Sequence, residues 1–259
     1  MTANARKTAL VTGASSGFGE AIATRMVGQG HKVVLAARRM DRLKGLERGL
    51  GADMAHAVAM DVTDRRAVAH AVDALPAAFA SIDILVNNAG LALGLAPAQD
   101  ADADDWDRMI ETNCRGVVNV THAVLPGMVA RGEGHVINIG SVAGTYPYVG
   151  GNIYGASKAF VRQFSLNLRS DLHGTGLRVT SIEPGLCGGT EFSSIRFKGE
   201  EERAASMYKG LDPILPEDIA EAVYWAASQP AHVNVNAIEV MPVAQSFAPL
   251  QVHRRDNSI

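Results

Sequence analysis

"TALVTGASSGFGEAIATRMVGQG", Thr8 to Gly30, contains three pieces in order: a short apolar run, a turn with glycines at 13, 17 and 19, and a segment with apolar residues at helical spacing. The first piece, Thr8 to Thr12, is too short for a helix and predicts a buried strand. The i, i+3, i+4 spacing from Phe18 onward predicts a helix packed on that strand. In the turn between them, Gly13 allows a tight reversal. Gly17 and Gly19 let the backbone approach a pyrophosphate and let the helix pack closely. The unpaired N–H groups of the helix start would then face the anion.

The same βα rhythm continues along the chain. "KVVLAA" (Lys32 to Ala37), "HAVAM" (His56 to Met60), "IDILVN" (Ile82 to Asn87), "HVINI" (His135 to Ile139), "RVTSI" (Arg178 to Ile182) and "AIEVM" (Ala237 to Met241) are short, β-branched and apolar on both faces. Helix-length segments separate them. One is "SKAFVRQFSLNLRSDLHG", predicted to end near Gly174. Seven strands alternating with helices predict an α/β fold: one Rossmann-like, doubly wound domain over residues 1–259, with a parallel sheet covered on both faces. The long irregular stretch from Gly185 to Pro216 predicts a functional loop, a lid over about residues 186–215.

Bulk properties narrow the function. A chain of 259 residues fits one large α/β domain, and a net charge of −3 gives no global field for nucleic acid or anionic membrane. Cys114 and Cys187 are far apart with no metal spacing, so no metal site is expected and both thiols are expected reduced. "MTANARKTALVTG" leads straight into a strand without a hydrophobic signal core, and no segment reaches membrane-span length. The expectation is a cytoplasmic chain.

The strand ends then carry chemistry. In "LAARRM" the place where a carboxylate would read a free ribose 2′-OH holds Ala37, Arg38 and Arg39, and the first acid is Asp41. Arginine forks suit a 2′-phosphate and point to NADP(H). "MDVTD" puts Asp61 and Val62 at the end of the third strand, and "NNAG" puts Asn87, Ala89 and Gly90 at the end of the fourth. Ser141 lies just past the fifth. Tyr154 and Lys158 stand four apart and share a helix face. An ammonium near a tyrosine favours its phenolate, which makes Tyr154 a proton donor and acceptor beside a hydride carrier, with Ser141 on the substrate oxygen.

TGxxxGxG at Thr12 to Gly19, NNAG at Asn87 to Gly90, Asn113, Ser141, YxxxK at Tyr154 to Lys158 and Pro184-Gly185 together resemble the short-chain dehydrogenase/reductase family over essentially the whole length. The resemblance implies that Tyr154 is the acid–base group, that Lys158 holds the nicotinamide ribose and lowers the tyrosine pKa, that Ser141 orients the carbonyl, and that Asn113 supports a water-mediated proton relay. It implies cofactor contacts at Gly13, Ser15, Ser16, Gly17, Phe18, Gly19, Arg38, Arg39, Asp61, Val62, Asn87, Ala89, Gly90, Tyr154, Lys158, Pro184, Gly185 and Cys187. The family places a threonine five residues after the proline. Here that place is Gly189, and the loop "PGLCGGTEF" is expected to adjust to deliver Thr190.

Within the family, "NNAGLALG", "GGNIYGASKAFVRQFSLNLRSDLHG" and "IEPGLCGGTEFSSIRFKG" look like the NADP-dependent 3-hydroxy acid dehydrogenases, whose substrates include serine, allo-threonine, 3-hydroxypropionate and malonic semialdehyde. That implies a homotetramer with a C-terminal tail, about residues 244–259, reaching a neighbour. Similar sequences include sulfoacetaldehyde reductases, and a broad ketone reductase or 3-oxoacyl reductase is the other enzymatic reading. A non-catalytic NADP(H) sensor would not need Ser141, Tyr154 and Lys158 together, and a purely structural oligomer would have no reason for the glycine turn. Arg196 and Lys198 in "EFSSIRFKG" are cations that a pocket for neutral ketones would not need. Arg196 is expected to hold a short hydroxy or oxo acid by its carboxylate, with Tyr148 lining the same pocket.

Overall fold

Strands that are apolar on both faces are buried in the middle of a layered structure, and that is where the five inner strands lie. The two edge strands, Ala55–Ala59 and above all Ala237–Val240, are partly exposed, against the sequence expectation, because each is paired on one side only. The computed structural model describes residues 6–247. Its strands are β1 (Thr8–Thr12), β2 (Lys32–Ala37), β3 (Ala55–Ala59), β4 (Ile84–Asn87), β5 (Gly134–Ile139), β6 (Leu177–Pro184) and β7 (Ala237–Val240). They form one parallel sheet in the order β3-β2-β1-β4-β5-β6-β7.

Alternate residues of each strand feed two cores. Ala9, Val11, Val33 and Leu35 face α1 (Gly17–Gly28), α2 (Met40–Leu50) and α9 (Pro216–Ser228), meeting Ile22, Met26, Leu43, Ile219 and Val223. Leu10, Val34 and Leu85 face α3 (Arg65–Asp73), α5 (Gly116–Arg131) and α6 (Asn152–Asp171), meeting Val68, Val120, Val124, Met128 and Leu168. The chain winds outward from β1 to β3 and then returns to β4 on the other side of β1. That reversal opens a crevice beyond the carboxyl ends of β1 and β4, where open α/β sheets bind ligands.

Two boundary differences bear on the site. β4 begins at Ile84, two residues later than its sequence pattern, because the Asp83 side chain leaves the strand and accepts the Thr8 N–H at 2.8 Å. α6 begins at Asn152, five residues before Ser157, so Tyr154 and Lys158 both sit within it. The glycines around Asn152 concealed that start, and the helix closes at Leu172 ahead of Gly174. The 185–216 stretch is not wholly irregular: it contains α7 (Phe192–Arg196) and α8 (Glu201–Ser206). α4 (Ala103–Ile110) runs into α5 through a π turn over Glu111–Arg115 that carries Asn113. Such turns recur at functional sites.

Candidate active site

The glycine turn has the shape that an anion seat requires. Gly13 and Gly17 have φ of +67° and +56°, a region that side chains rarely adopt. A Cβ on Gly19 would lie 2.4 Å from the Gly13 carbonyl oxygen, so α1 approaches the turn as closely as a bare backbone allows. Asn88 fixes the turn to β4: its Nδ2 donates to the Thr12 carbonyl at 2.8 Å, and its N–H donates to Thr12 Oγ1 at 3.0 Å. Nothing in the NNAG motif itself announces this bracing by its second asparagine. The side chain of Asn87 points inward instead, donating to Thr121 Oγ1 and Asn138 Oδ1. The turn, with its N–H groups at the start of α1, fits a dinucleotide pyrophosphate.

The two arginines at the end of β2 differ. Arg39 is engaged by protein groups: Nε donates to Ser15 Oγ at 3.1 Å, Nη2 to Ser16 Oγ at 2.6 Å, and Nη1 to Glu191 Oε2 at 2.8 Å. Arg38 is exposed and has no hydrogen-bond partner among the described residues. Of the two, Arg38 is the guanidinium that could take a 2′-phosphate, with Asp61 beside it just past β3. Val62 is buried against Gly116.

Ser141, Tyr154, Lys158 and Asn113 converge beyond β4 and β5, and all four are buried. Ser141 Oγ accepts the Ala143 N–H at 3.1 Å and donates to the Pro184 carbonyl at 3.3 Å, bridging the ends of β5 and β6. Lys158 Nζ donates to the Ile139 carbonyl at 2.9 Å. Asn113 Nδ2 donates to the Leu91 carbonyl at 2.8 Å and to Ser157 Oγ at 3.0 Å. Gly90 stands between them: a Cβ there would lie 3.3 Å from Asn113 Oδ1 and 3.4 Å from Lys158 Nζ.

Burial decides the electrostatics of this cluster. Desolvation pushes the Tyr154 phenol up to about 12, against lowering by the Ser141 hydroxyl and the Arg196 charge. The sequence reading has Lys158 drawing the phenol down. In the structure the lysine is directed to Ile139, 5.9 Å from the tyrosine ring centroid, and burial brings its own pKa down to about 8. This has a consequence for stability. Between about pH 8 and 10.5 the unfolded chain holds a proton on Lys158 that the folded chain has released, so this lysine makes stability rise with pH there. Tyr154 opposes it only between about pH 10 and 12, where the folded chain keeps a proton the unfolded one has lost. Lys158→Met should remove the rise between pH 8 and 10 in urea unfolding of the chain without cofactor. An unchanged pH dependence would contradict the burial of a titrating lysine.

The loop after β6 reaches across this cluster. Thr190 lies against Gly17, where a Cβ would be 3.1 Å from Thr190 Cγ2, so the threonine one place beyond the family position meets the phosphate turn. The Cys187 thiol is half-buried, raised to about 12 by desolvation, and directed to the Gly185 carbonyl. Gln245 closes the Pro184-Gly185 corner by accepting the Leu186 N–H at 2.7 Å. The tail beyond it, residues 248–259, lies outside the described residues. Lys198 is occupied by Asp105 at 2.8 Å and Asp102 at 3.3 Å, which removes it as a substrate cation.

Arg196 is different. It is buried, its Nε donates to the Gly94 carbonyl at 3.1 Å and its Nη2 to Tyr148 Oη at 2.7 Å. Its guanidinium carbon is 5.5 Å from the Tyr154 ring centroid. No carboxylate among the described residues pairs with it, and Nη1 has no partner there. A buried guanidinium without a counter-charge beside a buried tyrosine could receive an anion. Among the described residues no cluster of three or more His, Cys, Asp or Glu could hold a metal, and no helix is long and apolar enough to cross a membrane.

Known proteins resemble this chain in sequence and in fold. The family model for short chain dehydrogenases matches residues 7–201. The chain is 60% identical over 245 residues to the NADP-dependent 3-hydroxy acid dehydrogenase YdfG of Salmonella typhi, covering 95% of this chain and 98% of the relative. It is 55% identical over 247 residues to the serine 3-dehydrogenase of Rhizobium radiobacter, covering 95% and 98%. Among solved structures, the closed form of serine dehydrogenase complexed with NADP+ superposes with a TM-score of 0.94 at 57% identity, covering 96% of this chain and all of that one.

Proposed function

The chain belongs to the short-chain dehydrogenase family, and from that premise we infer that it is an NADP-dependent oxidoreductase interconverting a short 3-hydroxy acid and its 3-oxo acid. When bound, the nicotinamide accepts or supplies the hydride at the carbinol carbon. The glycine turn, Arg38 and Lys158 hold the dinucleotide. Ser141 holds the substrate oxygen. Tyr154 handles the proton: as a phenol it protonates the oxygen of a carbonyl being reduced, and as a phenolate it takes the hydroxyl proton of an alcohol being oxidised. The Ser141 hydroxyl and the Arg196 charge lower the penalty for that phenolate, while burial keeps the group protonated in the chain alone.

Arg196 carries the substrate assignment, since a pocket for neutral ketones has no need of a buried, unneutralised guanidinium. Tyr148 holds it at the pocket mouth. Serine 3-dehydrogenase and the 3-hydroxy acid dehydrogenases, whose names specify a hydroxyl placed near a carboxylate, support the same class. We further propose a cytoplasmic homotetramer. Exposed Phe160, stacked on Phe164 with ring centroids 5.9 Å apart, supplies an apolar patch on α6 for a second copy.

An NADP-coupled screen of L-serine, allo-threonine, 3-hydroxypropionate and neutral secondary alcohols tests this. Short hydroxy acids are expected to have the highest kcat/KM, with NADP+ preferred over NAD+. Neutral alcohols turned over as well as the acids would favour a broad ketone reductase. NADPH binding with no turnover of any substrate would favour a sensor.

A further inference from the structure

Thr190, Glu191 and Phe192 are consecutive, and each meets a different part of the site. Thr190 rests on the phosphate turn at Gly17. Glu191 Oε2 accepts from Arg39 Nη1 and Oε1 accepts from Arg42 Nη1, both at 2.8 Å. Phe192 packs edge-on against Tyr154, with ring centroids 5.9 Å apart. The Arg39 guanidinium also grips Ser15 and Ser16, so one side chain joins the glycine turn, the end of β2 and the loop after β6.

We propose that Glu191 is a positioning residue: acting through Arg39, it catches the 186–215 loop on the phosphate turn and sets how long a bound dinucleotide stays, equally for NADPH and NADH. This deepens the proposed function and rests on it. The equality follows from a division of labour. Arg38 is the exposed guanidinium with no protein partner among the described residues, whereas three nitrogens of Arg39 already have one. Losing the catch therefore loosens the loop without altering the charge that reads the 2′-phosphate.

Glu191 is held well below the usual carboxylate range, at about 2, by hydrogen bonds from Arg39 and then Arg42, so it is ionised at every working pH. The catch responds to salt and not to acidity. Its three side chains are 40 to 45% exposed, which keeps each pair weak. Weakness suits a part that must open in every catalytic cycle. Gly189 at φ +68° and Gly199 at φ +92° flank the segment and supply places where the backbone can turn.

The test is stopped-flow release of NADPH and of NADH from the full chain. Glu191→Gln, which removes both exposed pairs, is expected to speed both by the same factor, about 2- to 30-fold. Arg42→Ala, which removes one of the two pairs, should move both rates in the same direction by less. Arg38→Asp should speed NADPH release alone. In 1 M salt the difference between wild type and Glu191→Gln should shrink, which a loss of packing would not do. Slower release of NADPH alone from Glu191→Gln would overturn the proposal and make Glu191 a competitor of the 2′-phosphate. Unchanged rates in Glu191→Gln, with normal binding to wild type, would overturn the catch and leave the proposed function standing. A wild-type chain that bound neither dinucleotide would overturn both.

Discussion

Tyr154→Phe is expected to lower kcat for a short 3-hydroxy acid by at least about 10²-fold, or about 2.7 kcal/mol of barrier. The substitution keeps the ring, and with it the edge contact to Phe192 at 5.9 Å, and removes only the titrating oxygen. The phenol is buried between Ser141 and Arg196, so no bulk water can easily replace it as proton donor. Dissociation constants for NADPH should be unchanged, because the turn and Arg38 are untouched. A variant that keeps more than a tenth of wild-type kcat would remove Tyr154 from the acid–base role. A variant that fails to bind NADPH would show instead that the phenol supports the cofactor seat.

Local pattern made most of the fold legible. A parallel sheet buries both faces of its strands, so "KVVLAA" and "TALVT" announce themselves by composition, and β1 and β2 fall on those residues. The glycine turn was legible for the same reason, since its positive φ values admit little else. The partners of long-range contacts were not legible. Arg39 and Glu191 are 152 residues apart and nothing in either neighbourhood announces the other. The pairing of Lys198 with Asp105 likewise needed the fold to bring α4 under the loop. Burial was the other hidden quantity. A tyrosine four residues before a lysine suggests a lowered phenol, but desolvation exceeds that effect when both groups are sealed from water. The inward turn of Asn87 follows from side-chain alternation along β4, which places it opposite the side its neighbour Asn88 serves.

Arg196→Met should lower kcat/KM for L-serine or 3-hydroxypropionate by about 10- to 150-fold relative to a neutral secondary alcohol. A hydrogen bond to a charged group contributes about 1.5–3 kcal/mol, which converts to that range. Methionine fills much of the same volume and leaves the backbone bond from Gly94 N–H to the Arg196 carbonyl, 2.9 Å, in place, so the loop keeps one of its ties. Tyr148 loses the Nη2 donor, which any substrate would feel equally. Arg196 also lowers the Tyr154 phenol, and that loss too falls on acidic and neutral substrates alike. The ratio of the two substrate classes, and not either rate alone, therefore isolates the carboxylate. Arg196→Lys keeps a charge but not the planar fork, and should give an intermediate ratio. If acids and neutral alcohols lose activity in the same proportion in Arg196→Met, the buried guanidinium shapes the loop and tunes Tyr154, and the anion must be selected elsewhere.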